Sequence, residues 1–190
     1  MGRLLHDTFT KDIILPTTSY TIDKSTIINV VKADPMDALS LSNRLREHDK
    51  IEVKAMGSTP LKSLMKSFDL PESETYAVIE TKFKVKGDKM YPLISIPIAM
   101  FGVNKCPHEE GYGVAWMLAS KDLEKYSKPF LRYCRDWVEQ IQQKYKVLYN
   151  LVHCNNAQGM RWLQWCGFDI KTSKKYGVGG EDFYLFIRER

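Results

Sequence analysis

A chain of 190 residues is long enough to bury the core of one compact domain. Its 44% apolar and 27% charged residues are ordinary for a globular protein, and no apolar run reaches the roughly 18 residues that a membrane-spanning helix needs. The net charge of +5 is spread along the chain rather than gathered in a basic stripe, so neither a nucleic-acid nor a membrane partner is signalled.

Residues 1–26 lack clear periodicity and are predicted to form an N-terminal arm, either disordered or docking on a partner. The start has no apolar core with a small-residue cleavage site, and His6 breaks the myristoylation pattern after Gly2, so no leader or lipid anchor is expected. Residues 27–190 are expected to form a single domain.

The β-branched run "TIINVVKA" predicts a strand. In "DPMDALSLSNRLREHDK", Asp34 is a good N-cap and Pro35 suits the first helical position, with Ala38, Leu41 and Leu45 on one face. "STPLKSLMKSFDL" repeats the device with Thr59 and Pro60, and its stripe is Leu61, Leu64, Met65 and Phe68. "ETYAVIETKFKV" and "YPLISIPIAMFGV" predict strands joined by a "KGDK" turn, with Pro92 and Pro97 marking an edge or a bulge. "GVAWMLAS" predicts a third strand of this group.

The strongest helical pattern is "SKPFLRYCRDWVEQIQQKY", where Phe130, Cys134, Trp137, Val138, Ile141 and Tyr145 keep a 3.6-residue period. "KVLYNLVH" predicts a short strand. "NNAQGMRWLQWCGF" then predicts a helix with a stop at Gly167. Two strands, "FDIKTSKKYG" and "EDFYLFIRE", close the chain. The four tryptophans lie on apolar stripes and read mainly as core. Trp162 and Trp165 cannot both point inward from one narrow face with Leu163 and Met160, so at least one is expected to be exposed beside Arg161.

Cys106, Cys134, Cys154 and Cys166 form no Cys-x-x-Cys pair, and His6, His48, His108 and His153 show no metal spacing. No metal is expected. The order strand, helix, helix, three strands, helix, strand, helix, two strands predicts an α/β (α+β) domain: a mixed, largely antiparallel central sheet flanked by about four helices.

That order resembles the GNAT acyltransferase superfamily. Asn156, Gly159, Gly167 and Phe168 fill the slots of the superfamily's Asn, small residue and Gly-Phe around the helix after its fifth strand. A narrower resemblance, from about residue 28 to 170, is to the internal virion protein A family of short-tailed phages. It rests on Trp116, Leu118, Phe130, Leu131, Arg132, Trp137, Val138, Asn156, Arg161, Trp162, Leu163, Trp165, Gly167 and Phe168.

The GNAT resemblance implies an amide-rich glycine loop after the fourth strand, cradling the diphosphate of acetyl-CoA. Here that place reads "LASKDLEKYSKPF", with no glycine and with acidic Asp122 and Glu124. The resemblance also implies a general-acid tyrosine seven residues after the Asn, a slot filled by Leu163. Glu80, His108, Glu109, Glu110 and Tyr112 could substitute, but an acid or histidine in a loop reads first as solvated.

The leading expectation is therefore a phage virion or assembly protein of the internal core or ejection machinery, located in the virion or the host cytoplasm. It would use the fold as a scaffold with no catalytic residues and no cofactor. Its partners would be other phage structural proteins or further copies of itself, met through Arg132, Arg135, Arg161, Trp162 and Trp165. The alternative expectation is an acetyl-CoA-dependent N-acetyltransferase acting on a host or phage amine, with Ser120, Lys121, Lys128 and Asn156 as cofactor contacts.

Overall fold

The computed structural model describes residues 18–190; the start of the expected arm lies outside the described residues. Its end does not remain loose, because Thr18–Asp23 forms strand β1 paired antiparallel with β2 (Thr26–Lys32). Three helices follow: α1 (Pro35–Ser42), α2 (Glu47–Ala55) and α3 (Pro60–Asp69). Next come β3 (Glu74–Lys86), β4 (Lys89–Lys105), β5 (Tyr112–Ala119), a 3-10 segment at Lys121–Tyr126, and α4 (Ser127–Gln142). The chain closes with β6 (Val147–His153), α5 (Ala157–Trp165), β7 (Asp169–Tyr176) and β8 (Glu181–Glu189). The strands make one sheet in the order β1-β2-β3-β4-β5-β6-β8-β7, antiparallel throughout except for β5 and β6.

The mixed, largely antiparallel architecture is as predicted, with one helix more. The run from Asp34 to Lys50 does not make one helix. α1 stops at Ser42, Leu45 bridges to Ser120, and a new helix starts at Glu47. The predicted N-caps hold. Asp34 Oδ1 accepts from Met36 N (2.7 Å) and Asp37 N (3.2 Å), Asp37 Oδ2 accepts from Asp34 N, and Thr59 caps α3. Pro92 and Pro97 sit where the β3–β4 register slips, which is how a strand accommodates a residue without a ladder donor.

Strand alternation sends side chains to two cores. On one face Val78, Phe101 and Val103 meet Cys134, Trp137 and Ile141 of α4 and Leu163 of α5. On the other, Ala77 and Met100 meet Ala38 and Leu41 of α1 and Leu64 of α3. Each large apolar side chain so buried contributes roughly 1.5–3 kcal/mol.

Candidate active site

β5 and β6 pair only at Tyr112–Val114 against Val147–Tyr149, and beyond that they diverge. Asn150 wedges the fork: its Nδ2 donates to Ala115 O (2.9 Å) and its Oδ1 accepts from Leu151 N (2.8 Å). A cavity of about 230 Å³ occupies the opening and reaches between the helical layers. Its lining is mostly apolar, including Trp116, Phe130, Trp137, Trp162 and Phe168. The indole Nε1 of Trp116 is buried there with no hydrogen-bond partner among the described residues.

The inner edge of β5 can be followed residue by residue. Ala115 O is taken by Asn150. Ala119 N donates to Asp49 Oδ2 (2.7 Å), and Ala119 O accepts from Arg46 N (2.9 Å). Alternation turns Met117 the same way, so its backbone N–H and C=O face the opening between those two satisfied positions. Across the fork, His153 N donates to Glu52 Oε1 (3.0 Å). One helix therefore serves both strands: Asp49 of α2 holds β5, and Glu52, one turn on, holds β6.

Glu52 Oε1 also accepts from Asn156 Nδ2 (2.9 Å), and Asn156 Oδ1 caps α5 through Gly159 N (2.8 Å). Only glycine fits at 159, because a Cβ there would lie 2.7 Å from the Asn156 carboxamide. Asp49 is 1% exposed. Burial pushes the Asp49 carboxyl above its ordinary value, with Arg46 (Nε 3.0 Å away) pulling it partly back. Burial likewise raises Glu52, offset by the bonds from Asn156 and His153. The β7–β8 turn closes over the end of α2, where Val178 N donates to Ala55 O (2.8 Å).

Of the sequence-predicted contacts, Asn156 lines the cavity and Ser120 lies at the end of β5. The Ser120 hydroxyl is engaged in capping the 3-10 segment, accepting from Asp122 N (3.2 Å). Lys121 opens that segment and Lys128 lies just beyond it in the first turn of α4; both are exposed. Arg135 and Trp165 come together: the guanidinium lies 4.5 Å from the ring centroid and its Nε donates to Trp165 O (2.7 Å). Trp165 is the exposed tryptophan, at 48%, but its partner is Arg135 and not Arg161. Trp162 stacks on Phe130 in the cavity wall, while Arg132 and Arg161 stand exposed and apart from that pair. Glu80 is buried on β3 and accepts from the Tyr126 hydroxyl, whereas His108, Glu109 and Glu110 are exposed in a loop.

Sequence reasoning missed Asp49 and Glu52. "EHDKIEVKA" reads as a solvated charged surface, yet Asp49, Glu52, Val53 and Met56 recur at helical spacing on the cavity side. Two acids on the same stripe as a valine were the available signal.

No family model and no curated protein matches the chain. Solved structures do match. AAC(6')-Ib in complex with ribostamycin and coenzyme A superposes with a TM-score of 0.58 at 10% identity, covering 86% of this chain and 93% of that one. An acetyltransferase from Thermus thermophilus gives 0.55 at 14% identity, over 86% and 97% of the two chains. An acetyltransferase of the GNAT family from Streptococcus pneumoniae gives 0.52 at 13% identity, over 86% and 99%.

The chain has the GNAT fold. The expected phage virion or assembly scaffold is overturned by these neighbours: they are acetyltransferases, and nothing among them indicates a virion protein. The narrower resemblance to internal virion protein A finds no support in them either.

For the pantetheine arm of coenzyme A, the fork offers an apolar cavity bordered by one backbone donor and one acceptor, both on Met117. The diphosphate has no amide cradle. Asp122 N and Leu123 N are bonded to the Ser120 side chain and carbonyl, and the Asp122 carboxylate is paired with Lys125 (2.6 Å) and Arg44 (3.6 Å). Lys121 and Lys128, with the uncapped first turn of α4, are the groups left to meet phosphate.

Proposed function

We propose that this chain is an N-acetyltransferase taking acetyl-CoA as donor and an amine as acceptor. The carrying observation is the fork between β5 and β6, where a cavity, an inward-facing backbone edge at Met117 and a half-buried carboxylate at Glu52 meet. The pantetheine arm would lie along Met117, held in the way a strand edge holds an extended peptide, and its thioester would reach the cavity between α2 and α5. The apolar walls would keep water from the thioester and strengthen every polar contact inside. Lys121 and Lys128 would meet the diphosphate with side-chain charge in place of backbone amides, and Ser120 and Asn156 would border its path. The neighbours named above support this reading, one of them being a complex with coenzyme A.

Calorimetry with acetyl-CoA, alongside the shift in Tm at saturating ligand, tests it. Binding in the micromolar range with a matching rise in Tm is expected. No heat and no shift at millimolar acetyl-CoA would end the acetyltransferase reading.

A further inference from the structure

We infer that Glu52 is the group that takes the proton from the acceptor amine; the inference rests on the acyl-transfer reading above. Glu52 lines the cavity from α2, on the side opposite the β5 backbone edge. Its Oε1 is fixed by two donors from different elements, His153 N on β6 and Asn156 Nδ2 at the head of α5. Its Oε2 has no partner among the described residues and is not among the buried unsatisfied atoms, so it keeps accessible surface on a residue that lines the cavity. A base needs this arrangement: one oxygen sets the direction and the other receives the proton.

The other ionisable groups around it are placed differently. Asp49, one turn earlier, also lines the cavity, but it is 1% exposed and ion-paired with Arg46 (3.0 Å) through the same Oδ2 that accepts from Ala119 N, so it has less open surface to offer than Glu52, whose donors are neutral. His153 holds its ring between Glu181 Oε2 (2.8 Å) and Asn155 N (3.2 Å), so neither ring nitrogen is free. Glu80 is bonded to Tyr126, outside the cavity lining. Lys66 of α3 also lines the cavity; the ammonium form of a lysine carries donors only. Burial raises the carboxyl above ordinary glutamate, which brings its basicity closer to what an ammonium acceptor requires.

The ammonium gives one proton to Glu52 Oε2, and the freed amine attacks the thioester carbonyl. The C–N bond forms and the C–S bond breaks. The second N–H proton goes to the departing thiolate, and Glu52 returns its proton to solvent. Asn156 acts as a positioning residue, since it touches the carboxylate and not the reacting atoms.

The test is release of free thiol from acetyl-CoA by the full chain, with a panel of primary amines running from diamines to peptides with free N-termini. Glu52→Gln keeps an oxygen acceptor for His153 and Asn156 and removes the base. Acetyl-CoA affinity should hold and Tm should not fall, KM for the amine should change little, and kcat should fall by about 10²-fold or more. The acid limb of the wild-type kcat/KM profile should lie above the ordinary glutamate value and be absent from Glu52→Gln. Equal turnover by the two proteins, with the same profile, overturns the role of Glu52 and leaves acyl transfer standing. An acid limb at the ordinary value, or none, in the wild type overturns it without any variant. Wild-type protein that binds acetyl-CoA but releases no thiol with any amine brings down acyl transfer and this role together.

Discussion

Replacing Gly159 by alanine sets two effects of similar size against each other. Position 159 is in the first turn of α5, where alanine favours the helix over glycine by up to about 1 kcal/mol. Against this, the new Cβ would sit 2.7 Å from the Asn156 carboxamide, which is 5% exposed and cannot swing into solvent freely. Displacing it loses the N-cap bond to Gly159 N, worth about 1 kcal/mol, and the bond to Glu52, whose buried partners then cost roughly another 1–3 kcal/mol. The clash wins, and Gly159→Ala should destabilise by about 1–3 kcal/mol in urea unfolding. In an Asn156→Ala background the obstacle is gone, so the same substitution should become neutral or stabilising by up to about 1 kcal/mol. A sign that does not change between the two backgrounds would refute the account of how Asn156 and Gly159 fit together.

Gly167 ends α5 with φ 84°, and Phe168 N bonds back to Leu163 O (3.0 Å), so Gly167→Val should lower stability by roughly 1–3 kcal/mol, read as a fall in Tm. Asp49→Ala leaves Ala119 N and Arg46 without their buried acceptor and should cost about 3 kcal/mol or more in urea unfolding; a loss under about 1 kcal/mol would mean that α2 is not held through this residue. Because burial raises both Asp49 and Glu52, the folded state binds their protons more tightly than the unfolded chain does. Their contribution is fully present below the ordinary carboxylate values and is lost as pH rises through the raised folded ones. A Tm profile in that window should therefore fall more steeply for wild type than for an Asp49→Asn/Glu52→Gln double variant. Arg135→Ala removes the stack on Trp165 and one exposed hydrogen bond, a loss of about 0.5–1 kcal/mol by denaturation.

The elements that were legible in the sequence are those whose stabilisation is local or periodic. α1, α3 and α5 announce themselves through Asp34-Pro35, Thr59-Pro60 and Asn156 with Gly167, and α4 through its apolar stripe. β1 was not legible, since Thr18–Asp23 becomes a strand only because β2 offers an edge to it. α2 was hidden for a different reason: its inward face carries a buried and a half-buried acid, and their partners other than Arg46 lie 70 to 104 positions away in Ala119, His153 and Asn156. Burial of a charge depends on partners that only the tertiary fold assembles. The candidate site was half legible, Asn156 by its motif and Glu52 not at all.

The sheet, although continuous in strand order, behaves as two plates that share a three-residue seam. β1 to β5 form one plate, β6 to β8 the other, and α2 spans the gap as a gauge whose two jaws are side chains. The shorter jaw, Asp49, closes on the first plate, and the longer, Glu52, on the second. The width of the opening is thus written in the difference of one methylene between two acids, a dimension that the chain carries itself instead of borrowing from whatever enters.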